Sequence, residues 1–103
     1  MKGFEEKFED KKLKINSKIK NSQKKIVKQA FLLHSKGNIA EAKKYYKLCI
    51  DQKINNFLIY SNYGLILKNE GNLKEAEISL KTAIKLNPNS ADSFLNLGSI
   101  LKD

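Results

Sequence analysis

Gly37-Asn38-Ile39-Ala40-Glu41-Ala42 returns thirty-four residues later as Gly71-Asn72-Leu73-Lys74-Glu75-Ala76, and the same offset links Cys49 to Ala83 and Gly64 to Gly98. A period of this length with helical patterning marks a helical solenoid, whose units cannot hide their apolar faces alone and must stack. Such an architecture presents surfaces for binding rather than a catalytic pocket.

Working outward from Gly37, Ile26, Ala30 and Leu33 form one helical stripe, and Ile39, Ala42, Tyr46, Cys49 and Ile50 form a second. Gly37 and Gly71 suit the left-handed residue that ends a helix. Asn38-x-x-Glu41 and Asn72-x-x-Glu75 read as capping boxes, with the Asn side chain accepting from a free backbone N–H. Asn87-Pro88-Asn89-Ser90 stops one helix and caps another, because proline lacks a donor and restricts the residue before it; the equivalent Lys53-Ile54-Asn55-Asn56 has no proline. The pattern predicts helices near 22–36, 39–52, 57–70, 73–86 and 91–102.

Small residues have a place in this scheme. Ala30 opposite Ala42, and Gly64 opposite Ala76, let paired helix axes approach closely. The helix around Phe57-Leu58-Ile59-Tyr60 is apolar over most of its circumference and is expected at the centre of the stack. Glycine inside a helix costs about 1 kcal/mol relative to alanine. Gly98 therefore anticipates a crossing helix, and its absence from the sequence leaves Phe94, Leu97 and Leu101 short of cover. Two expectations follow: a longer array, or self-association through the uncapped last helix.

Tyr60, Tyr63-Gly64, Leu67, Gly71, Ala76, Leu80, Ala83 and Pro88, with Phe94, Leu97-Gly98 and Leu101 opening a further copy, resemble the tetratricopeptide repeat. The first copy matches at Ile26, Ala30, Leu33, Gly37, Ala42, Tyr46 and Cys49 but departs from the pattern at Gln29 and Ile54. The resemblance covers residues 23–103. It implies an all-α fold, an α-α superhelix of two full helical hairpins plus the first helix of a third, with repeats at about 23–56, 57–90 and 91–103. A basic leading segment before such repeats also resembles bacterial, especially marine cyanobacterial, chains that continue into a glycosyl- or sulfotransferase domain. Nothing in these residues would perform that transfer.

The resemblance further implies a concave groove lined by the first helix of each unit. Its positions here are Lys24, Val27, Lys28, Phe31, His34 and Ser35 from the first copy, Leu58, Ser61, Asn62, Leu65, Lys68 and Asn69 from the second, and Leu95, Asn96, Ser99 and Lys102 from the third. Asn amides would bond a peptide backbone, lysines would attract acidic groups, and Leu58 and Leu65 would anchor apolar side chains. A protein or peptide partner is expected, an acidic one above all. Family members that grip chaperone tails hold a carboxylate with a Lys preceding the groove Asn. Val27, Ser61 and Leu95 stand at those positions, so that specificity is not carried over. The competing reading is that these residues form solvated helix faces.

Charge is unevenly placed. Net charge is +9, and all 20 basic residues are Lys. Without the planar fork of Arg, sequence-specific DNA readout is disfavoured. An anionic partner and an AT-rich genome account for the lysines equally. Residues 1–28 hold 10 Lys against 4 acids and so carry +6 of the +9. Residues 1–21 therefore read as a separate basic arm, frayed or disordered, in which Phe4, Phe8, Ile15 and Ile19 permit an amphipathic helix that like-charged Lys neighbours weaken. Nucleic acid or an anionic membrane would bind, if at all, through this arm.

Other chemistry finds little support. His34 and Cys49 are the sole histidine and cysteine and fall on different helices, so no metal site, no cofactor and no catalytic residue are expected. Cys49 stands where the repeat takes Ala and reads as a buried thiol. Tyr45 and Tyr46 read as packing residues, with Tyr45 the more exposed. No window approaches the roughly 18 apolar residues of a membrane span, and MKGFEEKFED lacks the apolar run of a signal peptide. The cytoplasm is the expected location.

Overall fold

The computed structural model describes residues 2–102, with side chains from Lys7 onward. Phe4's side chain and Asp103 lie outside the described residues. Five helices follow one another: α1 Lys2–Ser35, α2 Ile39–Asp51, α3 Phe57–Asn69, α4 Leu73–Leu86 and α5 Ala91–Lys102. Helices α1 and α2 form one antiparallel hairpin and α3 and α4 a second. The second hairpin stacks on the first through α2 and α3, and α5 packs on α4 and α3. The result is an all-α helical-repeat superhelix.

Left-handed residues make the turns. Gly37 (φ 77°) and Gly71 (φ 83°) adopt the conformation in which a Cβ would collide with the following carbonyl. Each places two N–H groups onto carbonyls of the finished helix. Gly37 N donates to His34 O and Asn38 N to Leu33 O; Gly71 N donates to Lys68 O and Asn72 N to Leu67 O. Lys53 does the same at φ 57°, with its N–H on Ile50 O and that of Ile54 on Cys49 O. A lysine there accepts backbone strain of about 1 kcal/mol, a feature the sequence pattern did not reveal.

Two boundaries differ from expectation. Asn38 and Asn72 precede α2 and α4 as foreseen, but neither side chain caps its helix. Both backbones sit near ψ 71°, with their N–H groups tied back to the preceding helix, and the carboxamide makes no hydrogen bond to the first turn. Capping falls instead to Asn56, whose side chain accepts from Leu58 N at 3.0 Å. Ser90 Oγ accepts weakly from Ser93 N at 3.4 Å.

The second difference is α1, which begins at Lys2 rather than near residue 22. Starting a helix is the costly step, and each residue added to one already anchored needs only propagation. Residues 23–35 pack against α2 and supply that anchor. Between Phe4 and Gly37 no glycine or proline interrupts it. All of residues 7–22 are nonetheless exposed. A 34-residue helix spans about 51 Å at 1.5 Å per residue, which accounts for most of the molecule's 65 Å length.

Two apolar clusters hold the stack together. Ala30, Ala42, Tyr46, Cys49, Ile59 and Ile66 form the first, and Leu67, Ala76, Leu80 and Ile100 the second; Tyr63 packs against both and joins them. Within the second hairpin, Gly64 meets α4 so closely that a Cβ built there would lie 2.7 Å from Leu80 Cγ and 3.3 Å from Ala76 O. Gly98, its counterpart one repeat later, has nothing within 4 Å of the same point. Buried Ser79 reinforces the second hairpin by donating to Tyr60 O at 2.7 Å.

Candidate functional site

The first helices of successive repeats, α1, α3 and α5, carry the residues expected to line a groove. Between α3 and α5 lies a hollow of about 600 Å³ that brings together Leu58, Ser61, Asn62, Leu65, Leu95 and Asn96. Asn87, Asn89, Ser90 and Asp92 close its rim. A second hollow of about 550 Å³ gathers Lys24, Val27, Lys28 and Phe31 of α1 with Ile54, Asn55 and Asn56 of the inter-repeat turn. Ser99 and Lys102 fall elsewhere, beside Phe94 and Gly98 on the outer side of α5. Lys68 and Asn69 stand further along α3, outside all three.

Leu58 is 45% exposed, an uncommon state for a leucine on the helix that forms the centre of the stack. Ser61 is buried, and its Oγ accepts from Ser93 Oγ at 3.0 Å, while Ser93 Oγ lies 2.9 Å from Ser90 Oγ. This chain of hydroxyls stitches α3 to α5 beneath the hollow. Ser61 thus positions the wall, and its burial leaves it little surface to offer a ligand.

Tyr46 lies beneath the groove and touches Phe31 of one hollow and Asn62 of the other. Its ring is fully buried, and its hydroxyl lies 2.8 Å from His34 Nδ1 and 3.1 Å from Asn62 Nδ2. A neutral His34 with its proton on Nε2 lets the phenol donate to Nδ1 while accepting from the Asn62 amide. Asn62 Oδ1 is then oriented away from the phenol as an acceptor. Phe31 and His34 both pack edge-on against the Tyr46 ring, with centroids 5.9 and 5.6 Å away. Burial raises the Tyr46 hydroxyl above its ordinary 10.0, with the Asn62 hydrogen bond opposing, so the phenol stays protonated at neutral pH. The repeat pattern assigned Tyr46 to packing. Its role as a polar hub was invisible because His34, Tyr46 and Asn62 sit on three different helices.

A third feature lies on the second helices. Lys47, Ile50, Tyr60, Tyr63, Glu75, Ile78, Ser79 and Thr82 surround a smaller hollow of about 230 Å³ between α2 and α4. Burial, then the Glu75 carboxylate, raises the Tyr63 hydroxyl. Nearby, Lys43 ties α2 to the end of α3 through Glu70 at 2.7 Å. Sequence spacing alone gave no sign of this hollow, since its lining comes from three helices and two repeats.

Cys49 is buried, and burial raises its thiol above the ordinary 9.0, the opposite of what a nucleophile requires. Tyr45 is partly exposed while Tyr46 is buried. Among the described residues, no three His, Cys, Asp or Glu side chains gather as a metal site, and no helix is long and apolar enough to cross a membrane.

Comparison with known proteins matches residues 26–53 and 58–90 to a family model described as tetratricopeptide repeat. No curated protein matches the chain.

Proposed function

Because the chain belongs to the tetratricopeptide-repeat family, whose repeats mediate protein–protein interaction, we propose that it is a scaffold holding a peptide or protein segment along α1, α3 and α5. Repeats of this family are typically non-catalytic. The observation that carries the reading is the 600 Å³ hollow, in which exposed apolar Leu58 and half-buried Leu65 adjoin the amides of Asn62 and Asn96. Apolar anchors beside amide groups suit a peptide backbone, which needs both burial and hydrogen-bond partners. Lys24 and Lys28 in the neighbouring hollow favour acidic side chains at one end of such a ligand. Residues 1–21 are the basic arm in this reading, and from Lys2 onward they run into the rest of α1 without a break. The free buried thiol of Cys49 suits a reducing compartment, and the cytoplasm is the proposed location.

Partner recovery by the chain is expected to collapse in a Leu58→Glu, Leu65→Glu double variant, because each change sets a carboxylate where an apolar anchor docks. Neither side chain belongs to the buried clusters, but Leu65 is half-buried, so some loss of thermal stability is expected and the helical circular-dichroism signal is the check that the variant remains folded. Undiminished recovery of the same partner by a folded variant would remove the groove from the account.

A further inference from the structure

The uncovered part of α1 carries a patterned surface that the groove does not use. Phe8, Lys12, Ile15, Ile19, Ser22, Ile26, Gln29 and Leu33 follow alternating steps of four and three residues, the seam of a helix that pairs with one other helix. Helix α2 covers the later part of this seam, where Ile26 and Leu33 pack on the first apolar cluster. Its 13 residues reach no further. Beyond its end the seam continues bare, with Phe8, Ile15 and Ile19 between 50% and 61% exposed.

The two flanks of the seam differ in charge. Lys11, Lys18 and Lys25 occupy every position on one side, and Glu9, Asn16 and Gln23 occupy the other. All of the described ion pairs lie within residues 41–81, so Lys11, Lys18 and Lys25 take part in none of them. A second copy docked antiparallel would set the row against itself, and one docked parallel would set it against amides, without charge reward. Insertion into a bilayer calls for a broad apolar face, whereas this seam is one residue wide and interrupted by Lys12. Nucleic acid would engage the lysines and leave Phe8, Ile15 and Ile19 in water.

We propose that residues 8–25 of α1 dock an amphipathic helix of another protein, one with an apolar seam and Glu or Asp along the flank that meets Lys11, Lys18 and Lys25. The docked helix lies beyond the C-terminal end of α2 and in line with it. From Phe8 to Ile19 the bare seam is about 17 Å long, enough for three turns of contact. This surface is distinct from the hollow between α3 and α5, and the proposal does not rest on occupancy of that hollow.

The test uses the full chain and a labelled synthetic three-heptad helix with Leu along its seam and Glu at all flanking positions, followed by fluorescence anisotropy. Versions with Gln or Lys in place of Glu serve as comparators, beside phosphatidylserine vesicles and duplex DNA. The Glu helix should bind, the Gln helix about tenfold more weakly, and the Lys helix not at all. Ile15→Ser with Ile19→Ser should weaken the Glu helix by about tenfold or more. Lys11→Glu, Lys18→Glu and Lys25→Glu together should transfer binding to the Lys helix, a gain that misfolding cannot mimic. The proposal is overturned if the Glu helix does not bind or binds no better than the Gln helix. It is also overturned if only vesicles or DNA bind, or if the chain sediments as a dimer that the Ile15→Ser, Ile19→Ser variant dissolves.

Discussion

Gly64 and Gly98 occupy equivalent positions one repeat apart, yet their surroundings make opposite demands. At Gly64 an added methyl group would meet Leu80 and the Ala76 carbonyl, so Gly64→Ala should destabilise the fold by about 1–3 kcal/mol, less the helix propensity that alanine contributes. At Gly98 only propensity operates, and Gly98→Ala should stabilise by up to about 1 kcal/mol. Urea midpoints of the two variants should move in opposite directions. A loss at both positions would mean that a helix covers α5 in solution. The shared glycine is visible in the repeat, but its different consequences come from the neighbour that one copy has and the other lacks.

Helix ends show how far local pattern carries at the scale of the element. Asn38, Asn56 and Asn72 all precede helices, and sequence spacing favoured the two with Glu three residues on. Only Asn56 caps, because its N–H does not close the left-handed turn that holds the other two. Replacing Asn56 by Ala should cost about 1 kcal/mol, while Asn72→Ala should cost a few tenths. Equal losses, measured by chemical unfolding, would show that the Asn72 side chain turns inward to cap α4. The extent of α1 belongs to the same scale. Residues 7–22 look weak as an isolated helix, and their continuity comes from the anchor that α2 gives to residues 23–35.

At the scale of the whole molecule, buried titrating groups make stability depend on alkaline pH. Burial raises the thiol of Cys49 and the phenol of Tyr46, and the hydrogen bond to Glu70 raises Lys43. Each group keeps its proton in the folded chain to a higher pH than in the unfolded one. The associated stability is complete below the unfolded values and is lost as pH rises through the folded ones. Stability should therefore begin to fall above about pH 9, with the thiol first. Cys49→Ala should delay the onset toward the range of Tyr46 and Lys43. Urea midpoints from pH 7 to 11 measure both effects, and an onset unchanged by Cys49→Ala would assign it to another group.

The sequence by itself determined the helical repeat and four of the five helices to within a residue. Those features depend on apolar spacing, on glycines that accept a left-handed backbone, and on a period that returns the same contacts. It also named Leu58, Asn62, Leu65 and Asn96, because repeat register alone assigns a residue to the face its equivalents share. Only the tertiary structure decided that Ser61 is buried and bonded to Ser93, that Tyr46 joins His34 to Asn62, and that the seam of α1 outruns the helix meant to cover it. Each of these depends on which side chains from separate helices arrive at one point, and no spacing along a single segment encodes that meeting.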